Sequence, residues 1–372
     1  MTEQLKLKLN DSKATRWGAL VIVAFTMMAA YYVNDVVAPL KTMLETDLAW
    51  SSTDFGFFTG GYSFLNVFFL MLIWGGLILD RFGIRFTGKL ATILMVGGTA
   101  LEYYAMTGLA GADATLFGIN EIFGYKTGVF VAFAGYSIFG VGAEVAGITV
   151  SKIIAKWFKG KELATAMGVQ VALARIGSQA GYAVAIPLAR AFGISTPVLL
   201  GLVLLLGGMI AFFIFAVMDK KLDKQMEAAA IAAGTEDEEE KFSFKDVKNI
   251  LVNPGFWLIA LLCVLFYSCV FPFQKFASEL MIIKYGINEN VAGTFAGLPA
   301  LGALILTPVF GGFIDKRGKS ASIMLLGSAM LICVHFIYAI PDINYWLVAI
   351  VLMIILGIAF SLVPSAMWPA VA

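Results

Sequence analysis

Ten stretches of about 20 predominantly apolar residues follow one another along the chain, and each is long enough to cross a bilayer as a helix. Hydrophobic residues make up 60% of the 372 positions and charged residues only 14%, so a soluble fold could not bury this much apolar surface. We therefore predict an all-α polytopic membrane protein. The predicted spans are 17–40, 55–79, 86–108, 128–153, 162–188, 195–218, 256–278, 291–313, 321–340 and 345–369.

The basic residues predict the orientation of these spans, because Lys and Arg accumulate on the cytoplasmic side of a membrane. With the N-terminus inside, twenty of the 26 basic residues fall on the inner side and five on the outer side. The remaining one, Arg175, lies within the fifth span. The N-terminus is therefore predicted to be cytoplasmic.

The same counts argue against several classes of function. The 26 basic and 25 acidic residues nearly cancel, so nucleic acid is not an expected partner. One histidine and three cysteines leave little material for a metal site, and neither a metal nor a cofactor is expected. No nucleophile stands beside a base in the pattern, so we do not expect an enzyme.

The segment 219–255 is the one clear internal boundary, because it is polar and contains the acidic run 236–240. It predicts a cytoplasmic linker between an N-terminal bundle of six spans, 1–218, and a C-terminal part with four spans, 256–372. A solvated, partly helical linker is the favoured interpretation of this segment.

A short motif occurs twice, each time between the second and third spans of its half of the chain. Glycine permits a tight turn between helices, Asp can accept hydrogen bonds from a helix N-terminus, and the basic residues suit the headgroup level. Duplicated halves are typical of transporters. The residues are Gly76, Asp80, Arg81, Gly83 and Arg85 in the first copy, and Gly311, Asp315, Lys316, Gly318 and Lys319 in the second.

Charged residues inside spans are costly and usually face a cavity or a partner. Glu144 lies roughly 14 Å and Arg175 roughly 20 Å from the inner ends of two consecutive, antiparallel spans, which brings them within reach of each other. Such a pair suits a zwitterion, and a buried salt bridge that fixes helix register is the alternative. Asp35 is a further candidate, whereas Glu102 and His335 are more readily explained by packing.

Small residues within the spans indicate close helix contacts and not a nucleotide loop. Gly140 and Gly142 lie inside an apolar span with no strand before it, and Gly177 is followed four residues later by Gly181. Both patterns favour packing of one helix backbone against another.

The duplicated Gly-x-x-x-Asp-basic-x-Gly motif resembles the signature of the major facilitator superfamily. The resemblance implies two six-helix bundles around a central cavity, which rock to expose a site to each side of the membrane in turn. That family has twelve spans and ten are seen here, so the second bundle is expected to be truncated.

Several stretches are similar to the lysosomal dipeptide uniporter family and its prokaryotic relatives. They are 31–35, 62–67, 139–144, 157–163, 174–178 and 363–369. The resemblance implies that Glu144 holds the ammonium and Arg175 the carboxylate of a dipeptide, and it adds Tyr31 and Asn66 as candidates. An organic-anion or other small-solute facilitator remains the alternative, followed by a non-transporting receptor.

The expected partners are a small zwitterionic solute and the lipid bilayer. An accessory membrane subunit is left open by the sequence. The N-terminal tail lacks an acidic dileucine sorting signal, which favours a bacterial inner membrane over a lysosome.

Overall fold

The computed structural model describes residues 8–111, 114–233 and 251–371, without the side chains of residues 164, 229–233, 315 and 368–371. The chain divides into two compact units that meet in sequence at Ala228, inside the predicted linker. The predicted bundle and linker bounds stay predictions. The acidic run 236–240 and the side chain of Asp315 lie outside the described residues.

The first unit, called unit 1 below, consists of helices and one small antiparallel hairpin. The hairpin joins β1 (Glu121–Ile122) to β2 (Tyr125–Lys126). The helices are α1 (Lys13–Val36), α2 (Lys41–Asp47), α3 (Ser52–Phe68), α4 (Met71–Thr107), α5 (Thr127–Trp157), α6 (Leu163–Phe192) and α7 (Thr196–Ala233), the last of which runs past the unit boundary.

The second unit is also helical in its described part. Lys284, at the end of the first helix of this unit, donates hydrogen bonds to the carbonyl oxygens of Tyr338 and Ile340, both at 2.6 Å. These bonds join the end of the first helix to the end of the fourth. The helices are α8 (Pro254–Ile283), α9 (Glu289–Ala296), α10 (Leu298–Arg317), α11 (Ser320–Ala339) and α12 (Trp346–Val371).

The helices account for the ten predicted spans. Within the described residues, seven segments are long and apolar enough to cross a membrane, and α3 and α4 pass the same test together as a bent pair. This pair contains two predicted spans, because α4 continues beyond Gly83 as a second arm, and the tenth span is the 30-residue α6, whose polar residues include Arg175. The second arm of α4 and α6 are each long enough to cross about 30 Å of hydrocarbon at 1.5 Å per residue.

One predicted span is interrupted by a sharp bend. Span 55–79 breaks between α3 and α4, where Leu70 adopts a left-handed conformation with φ 51° and the axes bend by 58°. Leu70 has no glycine or proline beside it, so the residue types did not predict this break. Span 291–313, in contrast, lies within one candidate span, Glu289–Ile314, although Gly297 separates α9 from α10.

The predicted motif loop is reduced to a kink of a single residue. α4 is helical on both sides of Gly83, and within α4 only this residue departs from helical backbone angles, with φ 75° and ψ 173°. The equivalent Gly318 has φ 65° and ψ −139° and ends α10. Both glycines follow the motif aspartate by three residues and adopt a positive φ that side chains disfavour. Gly76, in contrast, lies within α4 and not in a turn.

Asp80 does not cap a helix as predicted, because it accepts a hydrogen bond from Lys152 Nζ of α5 at 2.9 Å. Arg81 lies 5.6 Å from the ring centre of Phe82. Arg85 is also paired, with its Nη1 2.6 Å from Asp223 and 3.6 Å from Asp219 on α7. The motif therefore links α4 to both α5 and α7.

Asp219 is the centre of this network, because its carboxylate is fully buried and contacts three side chains. One oxygen accepts hydrogen bonds from Lys156 Nζ at 2.8 Å and from Trp157 Nε1 at 3.0 Å, and the other faces Arg85. Lys156 also lies 2.5 Å from Asp223. Charge-assisted bonds of this kind are the strong ones, and here they join α4, α5 and α7.

The segment before α1 is hydrogen-bonded to the end of unit 1 that carries the Asp219 network. We call this end the basic face of unit 1. Arg16 donates to Glu162 at 2.7 Å, and the Leu9 amide donates to the Gln225 side chain of α7 at 2.8 Å. Lys161 donates to Asp11 at 2.8 Å, and this hydrogen bond lowers the pKa of the Asp11 carboxyl. The starts of α1 and α6 and the end of α7 therefore lie together.

The predicted glycine contacts are confirmed within unit 1. A Cβ on Gly177 would collide with the Met28 carbonyl oxygen, and one on Gly181 would lie 2.9 Å from the Tyr32 carbonyl oxygen. α6 thus packs directly on the backbone of α1. A Cβ on Gly140 would in the same way meet the backbone of Tyr62 in α3.

A pair of alanine substitutions on α6 tests the α1–α6 contact. Gly177→Ala places a methyl group against Met28 and should cost about 1–3 kcal/mol, as overpacking does. Gly168→Ala adds its methyl where no atom lies within 4 Å, so its gain in helix propensity should make it neutral or stabilising. Thermal unfolding in mild detergent should therefore shift in opposite directions, and an unchanged melting temperature for Gly177→Ala would contradict the described contact.

Asp219→Asn tests the network at the basic face. The change leaves Lys156 and Arg85 facing a neutral amide in a buried position, so we expect a loss of about 3 kcal/mol or more in the free energy of unfolding. The matched variant Asp223→Asn removes a carboxylate that is 41% exposed and should cost less than about 1 kcal/mol. Denaturant titration in detergent measures both, and equal losses would show that burial does not set the strength of the network.

Candidate functional site

Glu144, the predicted acidic site residue, is held by a tyrosine of another helix. It is half-buried on α5, and its Oε1 accepts a hydrogen bond of 2.8 Å from the Tyr62 hydroxyl of α3. Among the described residues, Oε2 has no hydrogen-bond partner. One oxygen is thus fixed in place while the other can accept a donor from a ligand.

Arg175, the predicted basic site residue, lies beside a tyrosine of α1. Its guanidinium carbon stands 5.6 Å from the ring centre of Tyr31, and both side chains are half-buried. This is the distance of a cation–π contact, which orients a guanidinium without neutralising its charge. Its planar donors match the geometry of a carboxylate.

The two charged residues each contact a tyrosine and are not paired with each other. In the described part of the chain no ion pair joins Glu144 to Arg175, so the salt bridge considered as the alternative is absent. The helix neighbours explain why, because α5 packs mainly against α4 and α3 whereas α6 packs mainly against α1. Tyr31 is among the groups that influence Tyr62 electrostatically. We call Glu144, Tyr62, Tyr31 and Arg175 together the row.

Asp35 adjoins this row through a second tyrosine contact. Its Oδ1 accepts a hydrogen bond of 2.8 Å from the Asn34 amide, and the Tyr136 hydroxyl lies 2.7 Å from the Asn34 carbonyl oxygen. The Tyr136 ring in turn lies 5.6 Å from the ring of Tyr62. Asp35 is therefore connected to the row from the end of α1, without direct contact to Glu144 among the described hydrogen bonds.

Asn66 lies one helical turn from Tyr62 on α3. Its amide nitrogen donates to the Tyr62 carbonyl oxygen at 3.0 Å, and its Oδ1 is buried without a hydrogen-bond partner among the described residues. A buried acceptor of this kind costs free energy unless a donor reaches it. Asn66 therefore adds an acceptor on the same helix that fixes Glu144.

The two residues expected to serve packing do not join the row by any described hydrogen bond. Glu102 is fully buried in α4. The His335 ring of α11 meets Phe273 of α8 edge-on, with ring centres 4.9 Å apart.

Tyr62 and Tyr136 were missed as site residues by reasoning from the sequence. Both lie in apolar runs where an aromatic residue usually signals packing. One signal was present for Tyr62, since Tyr62 and Asn66 are four residues apart and share one face of a helix. For Tyr136 the sequence offers no comparable signal.

Comparisons with known proteins agree with this architecture. Residues 19–372 match the model of the family described as Major Facilitator Superfamily. The "Lysosomal dipeptide transporter MFSD1" of Homo sapiens is 28% identical over 373 residues, which covers 96% of this chain and 73% of that protein. Its counterpart in Gallus gallus is 32% identical over 251 residues, 64% of this chain and 54% of that protein.

Solved structures show the same fold at low sequence identity. A structure described as addressing substrate recognition in proton-dependent oligopeptide transporters has a TM-score of 0.64 at 13% identity and covers 94% of this chain and 83% of its own. A D-xylose-proton symporter has a TM-score of 0.59 at 15% identity and covers 94% and 81%. The protein is thus a multi-pass membrane transporter and not an enzyme, and the chain belongs to the major facilitator superfamily.

Proposed function

We propose that this transporter moves small zwitterionic solutes, dipeptides foremost, by binding their two charged ends to Glu144 and Arg175. The observation that carries the proposal is the row, in which an acid and a base of one unit each contact a tyrosine and are not paired with each other. An ammonium group would meet Oε2 of Glu144, and a carboxylate would meet the guanidinium of Arg175.

The length of a dipeptide suits an acid and a base that are held apart. Two residues in an extended conformation span about 7 Å, which is longer than an ion pair. A direct Glu144–Arg175 salt bridge would have to be broken before such a ligand could bind. The absence of this ion pair among the described residues removes the competition, because each charged group contacts a tyrosine instead.

Recognition of the two ends also predicts loose selection of side chains. The two charges read only main-chain groups that every dipeptide has. Asn66 Oδ1 offers a further acceptor one turn away, which suits the ammonium or the peptide N–H group. Broad specificity among dipeptides follows, in line with the substrate named for the MFSD1 relatives.

We also propose that the protein resides in a cell inner membrane with its N-terminus in the cytoplasm. The distribution of basic residues supports this orientation. In unit 1 these residues gather at the face that carries Arg16, Lys152 and Lys161, the face to which the N-terminal segment is fastened.

Transport by purified protein in liposomes tests the site. Glu144→Gln should reduce uptake of a free dipeptide at least about tenfold, because a charged hydrogen-bonded contact is worth about 1.5–3 kcal/mol. Arg175→Ala should do the same. Tyr62→Phe removes the donor that fixes Oε1 and should reduce kcat/KM by a smaller factor of about two to ten. The matched control is Tyr104→Phe, which alters a lipid-exposed tyrosine on α4.

Modified substrates distinguish the proposal from an organic-anion facilitator. N-acetylation removes the ammonium group, so Glu144→Gln should affect an N-acetyl dipeptide much less than a free one. An anion facilitator would depend on Arg175 and show no such difference. Undiminished dipeptide flux in both Glu144→Gln and Arg175→Ala would overturn the site assignment.

A further inference from the structure

The basic residues on the basic face of unit 1 fall into two sets. One set is paired with carboxylates in the ion pairs of α1, α4, α5, α6 and α7: Lys13, Arg16, Arg85, Lys152, Lys156 and Lys161. Members of the other set have no carboxylate within 4.0 Å among the described residues: Arg81, Lys89, Lys159, Lys220, Lys221 and Lys224. The second set has positive charge available for a ligand.

Lys89 is placed in this second set by the packing of α4 on α7. A Cβ on Gly88 would collide with the ring of Phe212, so the two helices touch closely here. Lys89 and Phe213 directly follow these two residues and lie at the edge of the helix contact. Lys89 Nζ is 5.2 Å from the ring centre of Phe213. Phe213 is 40% exposed, so this edge of the α4–α7 contact is open to the surroundings.

The ammonium group of Lys89 lies deeper in the membrane than the ion pairs of the basic face. Phe213, its ring neighbour, precedes Asp219 by six residues of helix, a distance of about 9 Å along α7. Lys89 itself is half-buried. A charge at this depth is costly unless an anion accompanies it, and a cation–π contact offsets only part of that cost.

Exposed apolar side chains continue this edge on the deeper side of the cation. Ile93 lies one helical turn beyond it on α4 and is 51% exposed. On α7, Ile210 precedes Phe213 by three residues and is 60% exposed. Toward the basic face, the same side of α7 continues to the exposed Lys220 and Lys221. The edge thus passes from aliphatic groups to the cation and then to further lysines.

This order matches the order of groups along a phospholipid, which has acyl chains, then a phosphate, then a headgroup. Basic pockets between membrane helices bind anionic headgroups in this way. We propose that the α4–α7 edge is a binding site for an anionic phospholipid, with Lys89 on its phosphate, Lys220 and Lys221 toward its headgroup, and Ile93 and Ile210 along its acyl chains. This site is separate from the Glu144–Arg175 row and does not depend on the proposed substrate.

Native mass spectrometry of the purified protein with added lipid tests the proposal. We expect phosphatidylglycerol to bind wild type in preference to phosphatidylcholine, and Lys89→Gln to weaken phosphatidylglycerol binding about fivefold, the effect of one lysine near a headgroup. Lys89→Arg should retain binding. The matched control Lys159→Gln removes an exposed charge from the α5–α6 connection and should bind like wild type.

The other outcomes overturn the proposal. Equal weakening by Lys89→Gln and Lys159→Gln would indicate attraction by net charge, without a site. Inorganic phosphate that displaces the lipid at equal concentration would assign the lysine to a free anion instead. If Lys89→Gln melts below wild type in the absence of lipid, the double variant Lys220→Gln/Lys221→Gln replaces it, and unchanged lipid binding there would also contradict the site.

Discussion

The cost of placing a charge in an apolar membrane governs where unit 1 puts its ionisable side chains. Asp219 is fully buried and is tolerated because Lys156, Trp157 and Arg85 surround it. These partners come from α4 and α5, so satisfying one carboxylate brings three helices together. The kink at Gly83 contributes, because it separates the two arms of α4 just before Arg85. The first copy of the motif therefore links helices more than it forms a loop.

Close contact between helix backbones is the second requirement for the assembly of unit 1. Lipid is as apolar as the helices, so the hydrophobic effect does little to drive their association. Gly177 and Gly181 let α6 lie directly on α1, and Gly140 lets α5 approach α3. These contacts determine the site. They seat Tyr62 of α3 against Glu144 of α5, and Tyr31 of α1 against Arg175 of α6. Two helix pairs thus each supply one charge together with one tyrosine.

Sequence reasoning reached the fold, because span length, charge asymmetry and the repeated motif are all local properties of the chain. It also singled out Glu144 and Arg175, since charges are rare within spans, and the family resemblance added Tyr31. It could not find Tyr62, because helix order along the chain does not say which helices touch. It placed Asp219 at the start of a solvated, partly helical linker, and α7 does continue there as a helix but buries that carboxylate. The break at Leu70 could not be predicted, since no glycine or proline stands beside this residue.

The number of partners separates structural charges from those that can serve a ligand. Asp219 has three partners, and a ligand could reach it only by displacing one of them. Glu144 has one neutral donor on Oε1, which orients the carboxylate and leaves its charge uncompensated by that contact. Lys89 has only an aromatic face. An apolar environment penalises a charge that lacks an opposite charge beside it. We therefore explain the unpaired charges of Glu144 and Lys89 by ligand groups that bind from outside the chain. A solute would supply the missing charge at Glu144, and a lipid phosphate would supply it at Lys89.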